Sequence, residues 1–327
     1  MKRKIHWFNP GNTSNDLEIL INSNLASTRL RAAVACKNFI SKNYEVSIGD
    51  SIINEPNIIF IGKIGGDIKR FEYWLNQLIK IKENKVYIYL DYTDNHLGFE
   101  SPMRKFYEYF VKISDHIIVP SEKMKDNIKN YWMGPTTVIP DIVEVEMTSP
   151  KYKINKIPRL LWFGHASNIE YLVNYVKKES LIDNKKIHLT VMSNLNGLEL
   201  FNKYLNVNSE FENINLLKWS KEFMSEVATK TDISLIPSSK EDPKKSGVSS
   251  NRLLTSLALG LPTLATTMPS YEEFDNYFLD INLYSINDMI KNLKTQKALV
   301  AKAQNTILKK YSKDNISELW LDLIETN

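Results

Sequence analysis

Cysteine is almost missing. Cys36 stands alone among 327 residues, so neither an intramolecular disulfide nor a cysteine-based zinc site can form. A single thiol suits a reducing compartment, and a cytoplasmic location is expected. Long apolar runs are missing too. No stretch of about 18 apolar residues occurs, so no membrane-spanning helix is expected. The basic start Met1-Lys-Arg-Lys leads into Ile-His-Trp-Phe and not into an apolar core, so a signal peptide is not expected either. Charge of one sign is scarce: 42 Lys and Arg against 38 Asp and Glu leave a formal net charge of +4. That is far from the dense basic clusters of a nucleic-acid-binding protein, and no nucleic-acid partner is expected. It suits phosphate groups on a small ligand, or peripheral contact with the inner face of an anionic membrane.

An apolar fraction of 43 % and a charged fraction of 24 % describe a folded globular chain, long enough for two domains. Short β-branched and aromatic runs alternate with amphipathic stretches. Strands are expected at Ile5–Phe8, Glu45–Ile48, Asn57–Ile61, Val86–Leu90, His116–Val119 and Thr136–Ile139. Between them lie helical stretches at Ala26–Ile40, Asp67–Lys82, Met103–Ile113 and Ser121–Tyr131. In Asp67–Lys82 the residues Phe71, Trp74, Leu75, Leu78 and Ile81 recur at helical spacing, and Asp67 is placed to cap it.

The rhythm breaks at Glu144–Pro158, which carries Pro150, Lys151, Lys153 and Lys156 and reads as an interdomain linker. It then restarts. Strands follow at Arg159–Phe163, Lys186–Met192, Ile214–Leu217, Asp232–Ile236 and Thr263–Ala265. Helices follow at Asn168–Lys178, Lys221–Thr229, Ser249–Leu259, Ser285–Lys294 and Lys302–Tyr311. The expected fold class is therefore α/β: two Rossmann-like, doubly wound domains, 1–150 and 151–311, facing a cleft. Residues 312–327 form a terminal amphipathic helix that packs back on the first domain.

Three stretches carry candidate chemistry. In the second half, an apolar strand ends at Ile236-Pro237, and a polar loop with Lys240, Lys244 and Lys245 follows. Gly247 and the capping pair Ser249 and Ser250 then lead to Asn251 and Arg252 in the first turn of a helix that ends at Gly260. Helix N-terminal N–H groups bind anions, and the lysines and Arg252 would neutralise a phosphate; a solvated lysine loop before a capped helix is the plainer alternative. Earlier, Trp162-Phe163-Gly164-His165 reads as a strand and a tight turn. Gly164 permits close backbone approach, and His165 is either a phosphate ligand or a polar turn residue. In the first half, Asp91, Asp94 and His96 cluster at the carboxyl end of a strand. There also, Leu25-Ala-Ser-Thr-Arg-Leu-Arg31 opens a helix: Ser27 or Thr28 is placed to cap it, and Arg29 and Arg31 to meet a phosphate or an acceptor.

Ala258-Leu259-Gly260-Leu261-Pro262, with Ser250-Asn251-Arg252-Leu253-Leu254 before it, resembles the donor-binding region of GT-B glycosyltransferases, in a variant seen in bacterial surface-polysaccharide enzymes. The resemblance covers about residues 159–270 most fully. It implies a glycosyltransferase that moves a sugar from a nucleotide-sugar donor to a glycan or lipid-linked acceptor in capsule or lipopolysaccharide assembly, with no resident cofactor or metal. Gly164, His165, Lys244, Lys245, Ser249, Ser250, Asn251 and Arg252 would face the donor. Asp91, Asp94 or His96 would serve as general base, or would stabilise charge at the anomeric carbon. No Asp-x-Asp triplet of the metal-dependent kind occurs. One departure stands out: the family's glutamate pair falls on Gly247 and Thr255 here. The turn at Gly164 also lacks the family's Arg and Lys, so a monophosphate-linked donor stays open. Other readings are another GT-B sugar-nucleotide enzyme, such as an epimerase, and a non-catalytic partner subunit.

Overall fold

A computed structural model of the chain describes residues 2–10, 16–23, 25–52, 55–64, 68–150, 154–181, 186–205 and 213–326. The first half runs β1 (Lys4–Phe8), α1 (Leu17–Ile21), a π-helical turn (Thr28–Ala32) into α2 (Ala33–Ser41), β2 (Glu45–Gly49), β3 (Ile58–Ile61), α3 (Phe71–Glu83), β4 (Tyr87–Asp91), α4 (Arg104–Ile113), β5 (His116–Val119), α5 (Glu122–Ile128) and β6 (Thr136–Val138). The second half runs β7 (Arg159–Phe163), α6 (Ile169–Lys178), β8 (His188–Ser193), α7 (Leu195–Leu205), β9 (Ile214–Lys218), α8 (Lys221–Thr229), β10 (Ile233–Ile236), α9 (Asn251–Ala258), β11 (Thr263–Ala265), β12 (Leu279–Asp280), α10 (Ile286–Lys291), α11 (Leu293–Asn305) and α12 (Lys313–Glu325).

Each half builds one six-stranded sheet, and every strand pair is parallel. The central strands are largely apolar without alternation, as sheets covered on both faces require: all four residues of β3 are buried. Strand order is β2-β1-β3-β4-β5-β6 in one sheet and β12-β11-β10-β7-β8-β9 in the other. Order therefore reverses between β1 and β3 and between β7 and β10. In open parallel sheets, ligands bind outside the carboxyl ends of the strands at such reversals. The fold class read from the sequence is the one observed.

The chain divides into two units. Unit 1 comprises Met1–Ile142, Asp242–Ser249 and Tyr311–Asn327; unit 2 comprises Val143–Glu241 and Ser250–Lys310. In unit 1 one sheet face buries Trp7, Phe60 and Tyr89 together with Trp320 of α12, and the other buries Trp74, Tyr107 and Phe110 of α3 and α4. In unit 2 the main core joins Trp162, Leu172, Val191 and Leu235.

Several local expectations change. Glu144–Pro158 does not run free where it is described. Thr148 N–H donates to Ala258 O, Gln304 Nε2 donates to Thr148 O, and Asn155 bonds Asp232. Its backbone groups are thus satisfied within unit 2, which begins at Val143 rather than near residue 151. Lys151, Lys153 and the expected cap Asp67 lie outside the described residues. α7 was not expected, and the two expected helices near the end resolve into α10, α11 and a 3₁₀ turn at Leu308–Tyr311.

Candidate functional site

In unit 2 the reversal point lies between the ends of β7 and β10. β7 delivers Gly164, and α9 delivers Arg252 within its first turn. A Cβ on Gly164 would press on the Trp162 ring at 3.0 Å, and the guanidinium Nη1 lies 3.5 Å from the same place. Nη1 is shielded from solvent and has no hydrogen-bond partner. Burial lowers the affinity of Arg252 for its proton, while Tyr271 and Tyr171 nearby act the other way. An arginine keeps its charge under such a shift, so the turn presents a cation whose Nη1 is shielded from solvent. Ser250 precedes α9 but makes no side-chain capping bond, contrary to expectation, because its backbone is already near-helical (φ −77°, ψ 10°). Asn251 is the first residue of α9. Gly164 O accepts from Ser193 Oγ at 2.7 Å, which ties the turn to β8.

His165 is engaged locally. Its Nδ1 accepts from Ser167 N at 3.3 Å and caps the 3₁₀ turn Ala166–Asn168. That nitrogen is the cap and not a phosphate donor.

Lys244, Lys245 and Ser249 fall in a different unit from Gly164 and Arg252. They belong to the segment Asp242–Ser249, which packs within unit 1. Asn95 Nδ2 donates to Pro243 O, Asn127 Nδ2 to Ser246 O and Ser121 Oγ to Gly247 O. Gly247 has φ +78°, and a Cβ there would meet Met124 N at 2.7 Å, so the close approach needs glycine. Lys244 Nζ sits 5.6 Å from the Phe99 ring centroid, and the charge of Lys245 acts on Asp94.

In unit 1 the three candidate base residues part company. Asp91 ends β4 with 1 % exposure. Arg31 Nε donates to both its oxygens, at 2.9 and 2.8 Å, and Nη2 donates to Oδ1 at 2.6 Å. Arg31 is itself buried; Nη1 donates to Ile139 O at 2.6 Å and Asp141 Oδ1 at 3.2 Å. Burial opposes its charge, but Asp91 and Asp141 more than offset it and hold Arg31 as a cation. Two expectations fall here. Asp91, expected as a base, and Arg31, expected to meet a phosphate or an acceptor, instead satisfy each other inside the core. Arg29 is also turned inward, with Nη1 donating to Ser23 O. Ser27 makes no capping bond, since its backbone is helical (φ −59°, ψ −36°).

Asp94 Oδ2 lies 2.6 Å from Lys63 Nζ. Burial alone would raise its pKa, but Lys63, His96 and Lys245 hold it below the usual carboxylate range. His96 stacks on Tyr107 (4.8 Å between centroids, 8° between planes), and its Nδ1 lies 2.8 Å from Ser101 Oγ. Burial pushes the imidazole below its ordinary value, Asp94 pulls it up and Lys63 pushes it down. The net result is a neutral imidazole at pH 7 beside an ionised, paired carboxylate. Sequence reasoning missed Lys63 and Asn9. Both follow strand ends at the β1/β3 reversal, and strand order is not visible in one sequence.

No protein-family model and no curated protein matches the chain. Solved structures match by shape. TarM aligns with TM-score 0.56 at 15 % identity over 83 % of this chain and 55 % of its own, so the chain spans about half of TarM. Anabaena HepE, solved with UDP and glucose, aligns with TM-score 0.66 at 10 % identity over 99 % of this chain and 100 % of its own. The lipopolysaccharide outer core galactosyltransferase WaaB aligns with TM-score 0.55 at 12 % identity over 100 % and 99 %. A UDP-GlcNAc 2-epimerase from Neisseria meningitidis, bound to UDP-GlcNAc, aligns with TM-score 0.51 at 12 % identity over 100 % of both chains. At such identities the likeness is one of fold, and the fold is the two-domain GT-B architecture.

Proposed function

We propose that the chain is a glycosyltransferase. It moves a sugar from a nucleotide-sugar donor to a glycan or lipid-linked acceptor in bacterial surface-polysaccharide assembly at the inner face of the membrane, without a resident metal or cofactor. The observation that carries the reading is the unpartnered Arg252 Nη1 opposite Gly164. A guanidinium nitrogen shielded from solvent and without a hydrogen-bond partner, at the reversal point of a parallel sheet, suits the phosphate of a donor. Negative charge grows on that leaving phosphate as the glycosidic bond breaks, and a fixed guanidinium offsets it. HepE and the epimerase, which share the fold, were solved with UDP or a UDP-sugar. In unit 1, His96 is the general base of this reading. It is the candidate left with a neutral acceptor nitrogen, since Asp91 and Asp94 are each paired with a cation.

The epimerase likeness favours a second reading, in which the chain rearranges a sugar nucleotide without an acceptor. A thermal-shift panel of UDP, GDP, CMP, dTDP and ADP tests the donor site. One nucleotide raises the melting temperature of the wild type, and Arg252→Ala loses that rise. No rise with any of the five would overturn the reading. Donor turnover that depends on added acceptor then separates transfer from epimerisation.

A further inference from the structure

The first sheet has its own reversal point, between β1 and β3. The chain leaves β1 at Asn9 and β3 at Gly62 and Lys63. Asn9 is 6 % exposed, and its Nδ2 has no hydrogen-bond partner. A Cβ on Gly62 would meet Trp7 Nε1 at 2.7 Å and Asn9 Oδ1 at 3.5 Å, so the chain passes close beside the indole and the amide only as glycine. A buried donor left without an acceptor, at the edge where parallel sheets take ligands, points to a ligand's polar group. Lys63 follows Gly62 in the chain, and Asp94 and His96 follow β4 on the adjacent strand.

We propose that Lys63 is a positioning residue of this site: its ammonium holds Asp94 as a paired carboxylate and thereby keeps the His96 imidazole free to take the acceptor hydroxyl's proton. The proposal rests on the glycosyl-transfer reading above. Asp94 and His96 share one short turn, in which His96 N–H donates to Asp94 O at 2.8 Å. An unpaired carboxylate in that turn would favour the imidazolium, which has no proton to accept. Lys63 opposes that bias. The pair is only part-buried, with side chains 41 % and 30 % exposed, so an incoming hydroxyl can reach the turn.

The charged and titratable groups around His96 come from several elements. Asp94 lies on its own turn, Lys63 follows β3, and Tyr107 comes from α4. Lys245 acts on Asp94 from the segment Asp242–Ser249. Asp91 and Asp141 add to the pull of Asp94 on Lys63 and help keep it charged. Asp91 is already neutralised by Arg31.

Histidine ring resonances followed by NMR across pH test the proposal, with His96 identified by its loss in His96→Gln. In Lys63→Met the His96 midpoint rises by about one pH unit or more. In Lys63→Arg it stays close to the wild type. In the double variant Lys63→Met/Asp94→Asn it returns, because the uncompensated carboxylate is gone. The acid limb of kcat/KM for transfer moves with the midpoint; loss of fold alone would lower the rate without moving the limb. An unmoved His96 midpoint in Lys63→Met, or no return in the double variant, overturns the role of Lys63. A midpoint that moves while the acid limb stays fixed overturns His96 as the base, a failure of the transfer reading that is separable from the first.

Discussion

Arg31 and Lys63 each neutralise a carboxylate, and depth decides what each pair can do. Arg31 and Asp91 are 1 % and 2 % exposed along their side chains. Taking both charges out of water is costly, and only multidentate bonding with further acceptors offsets it. Arg31 meets that need with Asp91, Ile139 O, Asp141 and the face of Trp320 at 5.1 Å. Such a pair is fixed scaffold. Lys63 and Asp94 keep contact with water, which makes their pair less costly to hold. Depth also governs His6. It is fully buried in β1, with Nδ1 2.8 Å from Ser47 Oγ and Nε2 without a partner. Burial lowers its pKa to about 4, against a small opposing contribution from Gly49. Between pH 6.5 and about 4 the unfolded chain therefore binds a proton that the native chain does not. Stability is full above pH 6.5 and is lost as pH falls through that window, by about 3 kcal/mol at its lower end. Urea unfolding of the wild type and His6→Asn across this range checks it: the variant loses less stability on acidification.

At the scale of the element, α9 shows how a short helix is stopped where a site needs it. The helix ends at Ala258, and Gly260 turns the chain with φ +74°. A Cβ at Gly260 would meet Thr148 O at 2.4 Å and the Pro150 nitrogen at 3.1 Å. Gly260→Ala therefore adds backbone strain to a clash with main chain that cannot swing away. It is expected to cost about 2 kcal/mol or more in denaturant unfolding. This turn was legible from Ala258-Leu259-Gly260-Leu261-Pro262, because glycine and proline act through local geometry that the sequence writes out directly. The strands were legible for a similar reason, as runs such as Ile58-Ile59-Phe60-Ile61 bounded by polar turns. α7 was not. Gly197 sits in its first turn and polar residues flank its start, although Leu198, Phe201 and Leu205 form an apolar stripe at helical spacing. The site was half legible. Gly164, Arg252, Asp94 and His96 lie near strand or helix ends, where a doubly wound pattern puts ligands. The partners that consume Asp91 and engage Asp94 come from other elements, and only the folded topology brings them together.

At the scale of the molecule, unit 1 is assembled from three stretches that are far apart in sequence. The last of them, α12, supplies Trp320, which is buried edge-on against Trp7 at 5.4 Å and Phe60 at 5.9 Å. Side chains from the first part of the chain donate to main-chain carbonyls of the same helix: Arg3 Nη1 to Ile324 O at 2.9 Å, and Asn38 Nδ2 to Ser317 O at 2.6 Å. The end of the chain is thus part of the first sheet's cover. Unit 2 has a core of its own, centred on Trp162 and Leu235, to which α12 contributes nothing. Trp320→Ala opens a cavity beneath the first sheet and removes the ring over Arg31, and large-to-small changes of this kind cost about 3–5 kcal/mol. That loss falls on unit 1 alone. Calorimetry of the variant is therefore expected to resolve two transitions, one moved well below the wild-type melting temperature and one near it. A single transition shifted as a whole would mean instead that the two units unfold as one cooperative body. In that case the site residues of unit 2, including Arg252, would depend on the chain's last helix for their order as much as those of unit 1 do.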